Sequence, residues 1–327
     1  MIETSPATAP GARPDELQSA PLNARATRLA RRVALATVVL PFLGFLVSMV
    51  LLWQRAFGIV DLGLLVVFYV LTTMGIGIGF HRLFAHRGFQ TGPRTKVILA
   101  ILGSMAAEGP VLFWAAIHRR HHNYSDRTGD PHSPHLHGEG AWNTLRGFWH
   151  AHSGWMLRPE LTGWAYYVPD LLRDRLLFQI NRLYFLWMTL GLLLPAVLGG
   201  LLTLSWRGAL LGFLWGGLVR VFLVHHTTWS INSICHIYGN RPFQTRDFSA
   251  NNFWMALLSF GEGWHNNHHA FPSSVRHGLQ WWQIDMSGYV IQAMKVAGLA
   301  WNVRLPSPRM VAEAKKKTGD GERSSSC

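Results

Sequence analysis

Charge is scarce in this chain of 327 residues: Asp, Glu, Lys and Arg make up 14% of it, against about 25% in soluble domains. That leaves little polar material to cover a water-soluble surface. Cysteine is nearly absent. Cys235 and Cys327 alone exclude a disulfide scaffold and a thiolate metal site. Acidic residues number 17 against 30 basic ones, for a net charge of +13. No nucleic-acid motif accompanies that excess, so it suits anionic lipid or an acidic partner protein instead. The low hydrophobicity of a disordered chain is missing too, since 49% of residues are hydrophobic. The abundant residue is histidine, with 17 copies.

A helix that crosses a bilayer needs about 20 mostly apolar residues. Val33–Leu52, Leu62–Phe80, Tyr184–Leu204 and Gly208–Val224 qualify or come close. Two further stretches are ambiguous. Val97–Ile117 carries Glu108, Gly109 and Pro110 at its middle, and Trp281–Trp301 contains Asp285, Gln292 and Lys295. A central charge costs a few kcal/mol on insertion, so both are read as interfacial or protein-packed. Arg25, Arg28, Arg31 and Arg32 precede the first span, whereas the two opposite turns hold only Arg55 and Arg207. The positive-inside rule then makes both termini and the 80–182 region cytoplasmic. No cleavable signal peptide fits, because the first apolar stretch begins late and runs too long.

The organisation expected is an all-α integral membrane protein. A flexible segment occupies 1–30 and a flexible tail 302–327. Between them, 31–301 holds four spans (about 33–52, 62–80, 184–204 and 208–224) and a cytosolic helical cap formed by 81–182 and 225–301.

Histidines gather where these spans end. His81 and His86 lie in HRLFAH, and His118, His121 and His122 in HRRHH. His236 closes NSICH, four residues after Asn232, and His265, His268 and His269 form HNNHH. Residues at i, i+3 and i+4 share a helical face, so each HxxHH run can aim three imidazoles into one volume. If 97–117 does not cross the membrane, all the clusters fall on one side. Nine imidazoles exceed the needs of one tetrahedral zinc, and two metals of higher coordination number account for them better. Imidazole suits iron, copper, zinc and nickel alike. A lone histidine is ordinarily a satisfied polar residue, and His132, His135, His137, His150, His152 and His277 are read so. His225 and His226, at the end of the fourth span, are weaker candidates for lining a cavity.

HRLFAH, HRRHH with SDRTGDPHSP downstream, TTWSINSICHIYG, and GEGWHNNHHAFP followed by WWQID together resemble the membrane-bound fatty acyl desaturases, in particular the stearoyl-CoA desaturase-like branch. The resemblance runs from about Val60 to Asp285. It implies four spans and a cytosolic cap holding two irons. It gives His81, His86, His122, His265 and His269 to one iron. His118, His121, His236 and His268 go to the other, with Asn232 acting through a water. It implies an O2-dependent removal of two hydrogens from an acyl chain, leaving a cis double bond, and a Δ9 position. Because no haem or iron–sulfur motif is present, electrons would come from a ferredoxin, a rubredoxin, or cytochrome b5 with its reductase. Thr228 and Trp229 match residues that line the acyl tunnel, and Trp114 is placed beside them. Asp126, Asp130, Glu262 and Asp285 flank the boxes and are candidates to accept the second nitrogen of a liganding histidine.

The sequence also departs from that pattern. Ala116 and Ile117 stand where animal acyl-CoA enzymes carry an Arg-Asp pair on the CoA headgroup, and Glu108 stands where the family has Gln. An acyl-lipid or acyl-carrier-protein substrate is therefore an alternative to acyl-CoA. Competing readings are a hydroxylase or ketolase on the same metal scaffold and a membrane metal transporter. Transporters place ionisable ligands inside spans, whereas these boxes lie beyond them.

Overall fold

A computed structural model of the chain describes residues 24–53, 57–157 and 163–315. Most of the expected flexible segment at 1–30, and the end of the tail at 302–327, lie outside those residues. Helices dominate: α1 (Ala24–Trp53), α2 (Ile59–Met74), α3 (Pro93–Ser104), α4 (Val111–Tyr124), α5 (Ala141–His152), α6 (Pro169–Leu172), α7 (Arg175–Arg182), α8 (Tyr184–Thr203), α9 (Trp206–Gly212), α10 (Arg220–Ser233), α11 (Phe253–Leu258), α12 (His265–Ala270) and α13 (Met286–Val296). A short antiparallel pair, Gln90–Thr91 with Ala300–Trp301, ties the cap's two halves together.

Among the described residues, four helical stretches are long and apolar enough to cross a membrane: Thr27–Leu52, Ile59–Ala85, Tyr184–Thr203 and Trp206–His236. The second and fourth outrun the apolar segments read from sequence. Each passes through a π-helical stretch, Gly75–Ala85 and Phe213–Val219, and ends in a histidine box. Wide turns of this kind mark functional sites in long helices. The first demands glycine, because a Cβ on Gly75 would lie 2.3 Å from the backbone nitrogen of Gly103 in α3.

The ambiguous 97–117 stretch is two helices, α3 and α4, joined at Met105–Pro110. Neither is long enough to span, at about 1.5 Å per residue. The joint is held from several sides. Arg220, fully buried, donates to the carbonyls of Met105 (2.7 Å) and Gly191 (2.6 Å). His225 Nε2 lies 3.0 and 3.1 Å from the carbonyls of Ala106 and Ala107. Gly109 N–H donates to Tyr184 Oη at 3.1 Å, and Leu112 N–H to Asn181 Oδ1 at 3.0 Å. Ala107 and Gly109 both have positive φ, 64° and 105°. So many anchors can hold the non-glycine residue in a conformation that costs of order 1–3 kcal/mol. Glu108 sits between the two and faces inward.

The start of the expected tail is tied down. Arg304 N–H donates to Gly88 O at 2.8 Å, Val275 N–H to Arg304 O at 3.0 Å, and 308–315 is helical.

Candidate metal centre and cavity

α4 begins after Pro110 and runs without a break into its three histidines. α12 follows a tight bend at Gly261–Trp264, where Gly261 takes φ 116°. The ends of the two long spans bring His81, His86 and His236 to meet these helices.

The nine histidines separate into two clusters. His81, His86, His118, His122 and His268 form one, and His121, His236, His265 and His269 the other. In the first, Nε2 of His118 lies 2.7 Å from that of His86 and 3.0 Å from that of His122. Nε2 of His268 lies 2.9 Å from that of His122 and 3.1 Å from that of His81. In the second, Nε2 of His265 lies 3.0 Å from that of His236 and 3.1 Å from that of His269.

This partition corrects the one implied by resemblance, which exchanged His118 and His268 for His265 and His269. The reason is helical phase. His118 and His122 are four residues apart on α4 and stack on one stripe, as do His265 and His269 on α12. The residue at i+3 in each run, His121 or His268, falls to the side of that stripe. There it joins the stripe from the facing helix.

Carboxylates fix the outer nitrogens. Nδ1 of His236 lies 2.8 Å from Asp126, that of His121 3.0 Å from Asp130, and that of His81 against Glu262. Asp285 does not take this role. Its carboxylate accepts from Arg82 at 3.0 Å and caps α13 through Gly288 N–H at 2.8 Å, while Arg82 itself pairs with Glu262. The sequence reading missed Asp247, whose Oδ2 lies 2.8 Å from Nδ1 of His269. No periodic spacing links that loop residue to its histidine. His132 and His277, read as ordinary polar residues, also belong to the centre's surroundings. His132 is buried with its ring 4.5 Å from that of His121. His277 lies 3.1 Å from Arg82 and 4.5 Å, ring to ring, from His268, with a buried Nε2 that has no partner.

The electrostatics follow from this arrangement. Burial works against Asp126, Asp130 and Asp247, yet His236, His121 and His269 hold all three well below the usual carboxylate range. Burial, reinforced by neighbouring histidines, pushes His86, His118, His122, His265 and His268 well below the ordinary histidine value. They are neutral near pH 7. Burial alone would also lower His121, but Asp130 raises it.

A neutral imidazole offers at Nε2 either one N–H or one lone pair, so Nε2 of His118 cannot pair fully with both His86 and His122, nor that of His268 with both His122 and His81. A cation shared among the lone pairs removes that conflict, and Nε2 of His121 is buried without a partner. Ligands at about 2.0–2.1 Å from a metal stand about 2.9 Å apart at right angles and about 3.4 Å apart in a tetrahedron. The spacings here match the right-angled case, and five nitrogens exceed a tetrahedral site.

Beside His118 lies a narrow cavity whose lining includes Glu108, Trp114, Thr228, Trp229 and Asn232. Trp114 stacks on His118 with centroids 5.2 Å apart and donates from Nε1 to Glu108 at 3.0 Å. The structure thus brings together the expected acyl-lining residues. Asn232, expected near a metal, is part of the cavity wall. Ile117 lines the same cavity, and Ala116 is fully buried, so neither is placed to meet a headgroup. His225 and His226 stand apart from both clusters, the latter 2.9 Å from His152.

Residues 60–287 match the family model for fatty acid desaturase. The chain is 50% identical over 280 residues to a hex-5-enoyl-[acyl-carrier protein] acetylenase of Moorena producens, covering 85% of this chain and 87% of that one. It is 38% identical over 271 residues to an sn-1 stearoyl-lipid 9-desaturase of Synechocystis, covering 82% and 79%. It is 39% identical over 245 residues to Delta-9 acyl-lipid desaturase 1 of Arabidopsis thaliana, covering 73% of each. A match over most of the chain, on a helical protein with four candidate spans and two histidine clusters, places it in the membrane-bound fatty acid desaturase family.

Proposed function

We propose that the protein is an O2-dependent fatty acyl desaturase working at two histidine-held irons. The observation that carries this is the contact of Trp114 with His118, which sets the wall of an apolar cavity against the first histidine cluster. In the reaction, –CH2–CH2–, O2, two electrons and two protons give a cis –CH=CH– and two waters. The irons would supply the activation of O2. The chain's own residues hold the metals, fix one carbon pair beside His118 and exclude water. His81, His86, His118, His122 and His268 are the ligands we assign to one iron, and His121, His236, His265 and His269 to the other. Asn232 faces the cavity close by.

The names of the Synechocystis and Arabidopsis relatives favour a Δ9 position. The basic residues flanking the first span favour a cytoplasmic centre. Electrons would come from an acidic carrier such as a ferredoxin, a rubredoxin or cytochrome b5. Half-buried His86 and His122 line a surface cleft with Arg87 and Arg119, a place for such a carrier to dock by charge. Weaker turnover in high salt is the expected sign.

A second reading has a specific observation behind it. The Moorena relative is an acetylenase, named for a carrier-bound chain that already contains a double bond. Expression in a host lacking unsaturated fatty acids, with His268→Ala as control, separates the outcomes by mass spectrometry. A cis-monoene lost in the variant supports desaturation. An alkyne from an added enoyl chain moves the assignment to acetylenase, and an oxygenated product to hydroxylase.

A further inference from the structure

The cavity beside His118 has a volume of about 50 Å³, whereas sites that enclose ligands run to about 300–1,000 Å³. An acyl chain can enter only if part of the wall moves. Two walls are fixed. Trp114 and His118 belong to α4, which carries three of the histidines, and Thr228 and Trp229 belong to α10 within the fourth span. The third wall is Trp155 and Met156, on the single 3-10 turn Gly154–Leu157 that follows α5.

α5 carries an exposed apolar stripe. Trp142, Leu145 and Trp149, at i, i+3 and i+7, share one face and are 70%, 57% and 57% exposed. Gly147 and Ala151, on the opposite face, are buried. In water such a stripe would be a liability. It is continuous with the outer surface of the spans, because α5 packs along α10 and the Gly154–Leu157 turn packs on α1. Tryptophan and leucine on one face of a short helix are what a membrane surface accommodates.

We infer that α5 lies in the bilayer surface and, with the turn that follows it, forms a door through which an acyl chain passes from the membrane into the cavity. The inference rests on the acyl-chain reading above and narrows it to a chain carried on a membrane lipid. Gly140, at φ 96°, gives the door a pivot before α5. At the other end His152 latches it to α10, with Nδ1 3.0 Å from Ser233 Oγ and Nε2 2.9 Å from His226.

The test uses the iron-loaded full-length chain in phospholipid nanodiscs. A spin label at Leu145→Cys, in a Cys327→Ser background (Cys235 is fully buried), should be accessible to O2 and shielded from a water-soluble nickel chelate. The reverse order would place α5 in water and overturn the proposal. Turnover is then measured with ferredoxin and its reductase, offering one acyl chain either in phospholipid or as a soluble carrier-protein thioester. Leu145→Asp should lower turnover of the phospholipid chain at least tenfold and leave the thioester rate as in the parent. Equal losses on both carriers, or no loss on either, overturn the door. If the parent acts on neither carrier, it is the acyl reading that fails. The label still reports where α5 lies, so the two failures are distinguishable.

Discussion

Asp247 Oδ2 lies 2.8 Å from Nδ1 of His269, and Nε2 of the same ring lies 3.1 Å from that of His265. The carboxylate therefore chooses the tautomer and aims the lone pair into the second cluster. Groups that orient a liganding histidine in this way are worth about 10–100-fold in metal affinity. Asp247→Ala should lose iron to a chelator at correspondingly lower chelator concentration, as measured by metal per chain. Retention equal to the parent would reduce Asp247 to a loop contact.

The partition into clusters makes a sharper prediction. His118→Ala removes one imidazole from the first cluster and His265→Ala one from the second. Each variant should keep about one iron per chain, and the two residual irons should differ in their Mössbauer parameters. Identical residual spectra would mean that the clusters do not bind independently.

Much of this was legible because the bilayer writes a coarse code. A lipid-exposed helix must be apolar over its whole length, so four spans stood out. Their histidine-bearing ends did not, since His81, Arg82, Thr227 and Ser230 are polar and yet lie on the same continuous helices, packed in protein rather than lipid. The histidines were readable from spacing, but spacing alone could not say which cluster an i+3 residue joins. That depends on which helix faces it. Asp247 went unmarked, and His132 and His277 were read as ordinary polar residues, for a related reason. Their partners are chosen by loops folding over the clusters, and loops carry no period.

Arg220 is a buried tie between the spans and the Glu108 turn. Replacing it by Leu leaves the carbonyls of Met105 and Gly191 without their donor. An unsatisfied buried acceptor costs about 1–3 kcal/mol. Arg220→Leu should therefore melt earlier than the parent in detergent. Arg220→Lys, which cannot hold both carbonyls in a fork, should fall between them. Unchanged melting of the Leu variant would show that the turn is held without Arg220.

Glu108 gives the centre a pH dependence of its own. Burial raises its carboxyl to about 7 from an ordinary 4.5, against the opposing hydrogen bonds from Thr228 and Trp114. The folded protein thus keeps a proton that the unfolded chain gives up. Below pH 4.5 both states are protonated, and Glu108 has no effect on the pH dependence. Between 4.5 and 7 the unfolded state ionises while the folded state does not, so stability falls as pH rises. Above 7 both are ionised and the loss levels off, at on the order of 3 kcal/mol. Glu108→Gln, which cannot ionise, should therefore gain on the parent in melting temperature steadily from pH 5 to 7 and hold that lead at pH 8. The same ionisation places a charge in the wall of an apolar cavity. The parent's KM for an acyl chain should then rise above pH 7, and the variant's should not. Parallel melting profiles for the two proteins would show that the carboxyl is not shielded as the cavity implies.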